Sequence, residues 1–119
     1  MHVLICDDEA RLATLSAQLL ESHGFETSSA TDASSARKRI VTEAVQAMVL
    51  DVNLPGESSA DLLDFLQEHA EDVRVLLTSG LAEDDVPEAL RRHPLVVGYV
   101  PKPYSIDVIA QRLHELFDA

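Results

Sequence analysis

Chemistry is concentrated in a few polar residues that each follow an apolar run. Asp7, Asp8 and Glu9 come after "HVLIC" (2–6), Asp51 closes "AMVLD" (47–51) with Asn53 two residues on, Thr78 closes "RVLLT" (74–78) with Ser79 next, and Lys102 follows "VVGYV" (96–100). Carboxylates held within a few Å of one another repel unless a cation sits among them. Two or three carboxylates with a backbone carbonyl make an all-oxygen set that suits Mg²⁺, which keeps several waters and leaves positions for a phosphoryl oxygen. The Thr78 hydroxyl and the Lys102 ammonium would then complete a cradle for a dianionic group.

Such convergence requires the runs to be neighbouring strands. Four of them are nearly continuous in Val, Leu and Ile, the pattern of strands buried on both faces; a fifth, "FETSSA" (25–30), is weaker. Helical patterns lie between them. Residues 10–23 carry Leu12, Leu15 and Leu19 and close at Gly24, and a stripe of Ala36, Ile40 and Ala44 follows an Asp32 cap. Leu62, Leu63 and Leu66 follow Ser58 and Asp61 at capping-box spacing. A short helix at 86–93 has Pro87 in its first turn, and residues 105–117 place Ile106, Ile109, Leu113, Leu116 and Phe117 behind a Ser105 cap. Alternating strands and helices predict an α/β fold, a three-layer sandwich with a parallel sheet, because parallel strands need crossover connections. Ligands of such sheets bind outside the carboxyl ends of the strands, where the polar residues above converge.

The 119 residues suit one domain, and no composition shift or linker marks a second, so 1–119 is expected to be a single domain. Against 9 Lys and Arg stand 21 Asp and Glu; the net charge of −12 argues against direct contact with nucleic acid or anionic membrane. Cys6 is the lone cysteine, so an internal disulfide is impossible. No run approaches the roughly 18–20 apolar residues of a membrane span, and a cytoplasmic location is expected.

The constellation resembles the receiver (response-regulator) family of two-component signalling, in its chemotaxis-receiver-like form. The matching segments are "CDDE" (6–9), "LDVNLPG" (50–56), "LLTSG" (76–80) and "GYVPKPY" (98–104), in the family's order and spacing across the chain. The resemblance implies a flavodoxin-like sheet of order 2-1-3-4-5 with five helices. It implies that Asp51 is the phosphoacceptor, that Asp7, Asp8, Asp51 and the backbone carbonyl of Asn53 hold Mg²⁺, and that Thr78 and Lys102 bind the phosphoryl oxygens. Thr78 and Tyr99 would form the switch, and Lys102–Pro103 would be cis. The implied function is a phosphorylation-dependent signalling switch rather than an enzyme with a separate substrate. Its implied partners are a sensor histidine kinase or histidine phosphotransfer domain upstream and an unknown protein downstream, read through the face of the fourth helix, fifth strand and fifth helix. Its state would be a monomer or a phosphorylation-dependent dimer.

One departure is local. Ser59 stands where the family usually has glycine, and a positive φ there would cost a serine about 1 kcal/mol. Other classes remain open at this level. Asp7 and Asp8 alone would suit ordinary helix N-terminal acids, and Glu9 a solvated first turn. A Mg²⁺-dependent phosphatase would want an acid where Asn53 stands, and a flavodoxin-like electron carrier would share the strand alternation. A degenerate receiver acting as a constitutive interaction module would lack some of the acceptor set present here.

Overall fold

The computed structural model describes residues 1–117. Strands β1 (His2–Cys6), β2 (Glu26–Ala30), β3 (Ala47–Asp51), β4 (Arg74–Ser79) and β5 (Val96–Pro101) alternate with helices α1 (Ala10–Glu21), α2 (Ala33–Thr42), α3 (Ser59–His69), α4 (Glu88–Arg91) and α5 (Ile106–Phe117). All strand pairings are parallel, in the order β2-β1-β3-β4-β5, so the expected sheet is the one present.

The apolar runs are continuous because each strand feeds two cores. Leu4, Cys6, Met48, Leu50, Val75 and Leu77 point toward α2, α3 and α4, while Val3, Ile5, Ala47, Val49 and Leu76 point toward α1 and α5. The polar sequence of β2 follows from its place at the sheet's edge, where its central residues are only half buried. Strand order reverses between β1 and β3, which opens a crevice at their carboxyl ends.

Caps fix where two helices start. Asp32 accepts the N–H of Ser35 at 2.7 Å, and Ser58 Oγ accepts that of Asp61 at 3.1 Å. At α5, the Ser105 carbonyl accepts Val108 and Ile109 N–H while its Oγ accepts Asp107 N–H, so Ser105 closes that helix's start.

Four helix readings need correction. The stripe buried by α1 is Ala13, Ser16, Ala17 and Leu20, and Leu15 and Leu19 are exposed. Small residues let α1 lie close against the sheet; the leucines sit on the adjoining face, beside the start of α5. Helix α2 ends at Thr42, leaving Ala44 exposed beyond it, and Leu116 of α5 is exposed. Instead of a helix over 86–93 there is a 3-10 turn at Glu83–Asp85, and Pro87 then stands as the N-cap of the single turn α4.

Candidate functional site

Asp7, Asp51, Thr78 and Lys102 meet at the carboxyl end of the sheet. Asp51 and Thr78 are register partners on β3 and β4, and both are buried. Asp7 follows β1 directly, and its residue retains only 1 % of its surface. Lys102 follows β5, and its backbone N–H is held by the Ser79 carbonyl at 2.8 Å. The Lys102–Pro103 peptide is cis.

The two buried carboxylates are oriented in the same way. Asp7 Oδ1 accepts the N–H of Glu9 at 2.9 Å, and Asp51 Oδ1 accepts that of Asn53 at 3.0 Å, each an aspartate bonding the backbone two residues on. Both then turn Oδ2 to the same ammonium: Lys102 Nζ lies 2.6 Å from Asp7 Oδ2 and 2.8 Å from Asp51 Oδ2. Burial pulls the ammonium's pKa down, but the hydrogen bond to Asp51 and the close negative charges of Asp51 and Asp7 outweigh it, so Lys102 stays protonated well above the usual lysine range.

One ammonium does not neutralise the cluster. Exposed Asp8 joins Asp7 and Asp51 in a group whose nearest carboxylate oxygens lie within 4.8 Å of one another. Asp7 Oδ2 is buried, and although Lys102 is near, no aligned hydrogen bond reaches it. A buried carboxylate oxygen with spare lone pairs, two neighbouring carboxylates and a shortfall of positive charge fit a hard divalent cation.

Supporting contacts surround this centre. Tyr99 is inward and buried; its hydroxyl donates to the Ser79 carbonyl at 3.1 Å and also to the Leu81 carbonyl. The phenol therefore grips the loop that follows Thr78 and shares the Ser79 carbonyl with Lys102 N–H. After Asp51, the expected cost at Ser59 does not arise: among the described residues only Gly24 and Gly56 have positive φ, and Gly56 makes the sharp turn at +109°. Ser59 opens α3, buried, and its Oγ donates to the Val52 carbonyl, pinning the peptide before Asn53. Sequence reasoning missed this contact. Its one visible signal was a hydroxyl where a glycine is usual. Asn53 is exposed and Glu9 is exposed, the latter offering only backbone groups to the site.

The response regulator receiver domain model matches residues 3–114, nearly the whole chain. This chain belongs to that family. The receiver is 30 % identical over 122 residues to the chemotaxis protein CheY of Pseudomonas aeruginosa, covering 99 % of this chain and 97 % of that one. It is 35 % identical over 117 residues to the probable transcriptional regulatory protein TcrX of Mycobacterium tuberculosis, covering 96 % of the receiver but 48 % of TcrX. Among solved structures, the response regulator TrrA of Thermotoga maritima, in complex with Mg²⁺ and BeF, superposes with a TM-score of 0.82 at 20 % identity over 98 % of each chain. The receiver is thus a two-component signalling domain of a family whose standard role is to accept a phosphoryl group. No helix among the described residues is long and apolar enough to cross a membrane.

Proposed function

We propose that Asp51 is the phosphoacceptor of this receiver and that Mg²⁺ is its cofactor. The observation that carries the reading is the orientation of Asp51: one oxygen fixed by Asn53 N–H, the other facing Lys102 beside the acids of β1. An Asp51 oxygen attacks the phosphorus of a phosphohistidine, the phosphorus–oxygen bond forms as the phosphorus–nitrogen bond breaks, and the imidazole leaves with its electron pair and takes a proton. Asp7 and Asp8 would hold the cation with Asp51 and the Asn53 carbonyl; when bound, it neutralises charge on the transferring group. Lys102, already charged and aimed at Asp51 Oδ2, is placed to pair with a phosphoryl oxygen.

The product is an acyl phosphate, and the output is conformational. Thr78, beside Asp51 in register, offers a hydroxyl to the phosphoryl group, and Tyr99 links the Thr78 loop to β5 through its two carbonyl contacts. The α4–β5–α5 face then changes its preferred protein partner. The upstream partner is a sensor histidine kinase or histidine phosphotransfer domain, the location is cytoplasmic, and no separate substrate is turned over. TrrA's Mg²⁺ and BeF complex supports the choice of cation by analogy.

Acetyl phosphate with Mg²⁺ tests the assignment. Intact-mass spectra are expected to show one added phosphoryl group in the parent and none in Asp51→Asn. Equal uptake by the variant would overturn Asp51 as the acceptor.

A further inference from the structure

Lys102 has far to reach. It leaves an edge strand that lies two strand spacings from β3 and three from β1, roughly 10 and 14 Å at ~4.8 Å per strand. Its ammonium nevertheless sits against acids at the ends of both. The loop after β5 must therefore lean over the end of the sheet, and something must hold it there. Lys102 N–H is anchored to β4 through Ser79. The next anchor is Tyr104, whose hydroxyl shares a hydrogen bond of 3.1 Å with Ser16 Oγ of α1, across 88 positions of sequence.

That partner is significant because α1 starts immediately after the β1 acids. The Glu9 carbonyl accepts Ala13 N–H at 3.0 Å, so the first hydrogen bond of α1 is made to the last residue of the acidic loop. Ser16 is nearly fully buried, whereas the Tyr104 ring packs half buried at the margin of the α1–α5 core. Burial raises the phenol's pKa above its ordinary value and the charge of Asp7 adds to the rise, more than offsetting the Ser16 hydrogen bond, so the hydroxyl keeps its proton.

We propose that Tyr104 is a positioning residue for phosphoryl transfer: paired with Ser16, its hydroxyl holds the lysine-bearing loop against α1 and so keeps Lys102 Nζ between Asp7 and Asp51. This rests on the phosphoacceptor reading above. The ring supplies packing that phenylalanine would also supply. The hydroxyl supplies registration of one side of the site against the other, and a displacement of even an ångström at the ammonium lowers the rate.

The test follows phosphorylation from acetyl phosphate and Mg²⁺ by intact mass over time, with urea melts of each protein. Tyr104→Phe is expected to slow phosphorylation about fivefold, the effect of one lost neutral hydrogen bond, and to destabilise by orphaning Ser16. Adding Ser16→Ala is expected to recover stability, since both partners are then apolar, while the rate stays low. In a Lys102→Ala background, Tyr104→Phe is expected to change the rate no further. A parent that takes up no phosphate sinks the phosphoacceptor reading and this inference with it. With an active parent, an unaltered rate in Tyr104→Phe, or a rate that recovers with stability in the double variant, overturns the positioning role alone. Should Lys102→Ala be too slow to follow, the comparison of single and double variants decides.

Discussion

Lys102 and Asp51 are paired, Nζ to Oδ2 at 2.8 Å, although β5 and β3 are not neighbours in the sheet. The ammonium thus occupies the approach to the proposed acceptor, and it offsets part of the charge of two buried acids. Replacing it by an isosteric apolar chain, Lys102→Met, leaves Asp7 and Asp51 facing each other without it. A fully buried pair costs about 3–5 kcal/mol to break; with the lysine side chain keeping 22 % of its surface, about 2 kcal/mol is expected here. Urea melts without Mg²⁺ measure the loss, and Mg²⁺ should restore more stability to Lys102→Met than to the parent. An unshifted midpoint would mean that the ion pair contributes nothing net.

The converse substitution is Asp8→Ala. Asp8 is exposed, so its removal opens no cavity, and it relieves repulsion within the acidic group. The metal-free protein should become more stable, and the upward shift in Tm on adding Mg²⁺ should shrink, because a ligand stabilises the fold only in proportion to its binding. Coincident melts of the parent with and without Mg²⁺ would remove the metal site altogether.

Ser59 gives a prediction specific to this chain. Its hydroxyl holds the Val52 carbonyl, and the next peptide carries the Asn53 carbonyl assigned to the metal. In Ser59→Ala the Val52–Asn53 peptide loses its tether, which loosens the Asn53 carbonyl that follows it, so Mg²⁺ affinity should fall by a few-fold while helix α3 persists, capped as before by Ser58. Titration of Mg²⁺ monitored by thermal shift reads the affinity, and far-ultraviolet circular dichroism reads the helix. Parent affinity in Ser59→Ala would leave the hydroxyl a packing feature only.

Alkaline pH should expose Cys6. Burial pushes its thiol far above the ordinary range and the charge of Asp7 adds to this, so the folded chain keeps a proton that the unfolded chain loses above about pH 8.5. The folded state binds more protons there, and stability must fall as pH rises. Between about pH 8 and 9, below most of the titration of lysine and tyrosine, the parent should lose stability more steeply than Cys6→Ala, whatever the variant's starting point. Parallel slopes would show that the thiol remains protonated in the unfolded chain too, or ionises in the folded one.

The strands and the acidic centre were legible because two-sided burial leaves unbroken apolar runs and because strand ends collect polar residues in a parallel sheet. Helix α1 misled because leucines draw attention to a face that is exposed, whereas Ala13, Ser16, Ala17 and Leu20 repeat at the same helical spacing and face the sheet. The fourth helix was overextended because nothing in "EALRRH" marks its end; the chain leaves the helix after Arg91, and His93 turns its Nδ1 to Leu95 N–H. Ser16 and Tyr104 are invisible as a pair in sequence, since a serine and a tyrosine so far apart carry no pattern until the fold joins them.

The lifetime of the acyl phosphate should depend on Gly80. Gly80 stands two residues after Thr78, exposed, just outside the acceptor's β4 neighbour, and a Cβ built there meets no atom within 4 Å. Its φ is not in the left-handed region, so a side chain can be added without backbone strain. The other flank is Asn53, whose amide can orient an attacking water. Hydrolysis then requires a water to pass an opening that glycine leaves unshielded, and a bulky apolar group at the rim should restrict that passage. Gly80→Leu is expected to hold its phosphoryl group several-fold longer than the parent once the donor is removed, with Mg²⁺ constant and the phosphorylation rate little altered. Loss of phosphate is followed by intact mass, and an equal or faster decay in a folded Gly80→Leu would show that access past this position does not limit hydrolysis.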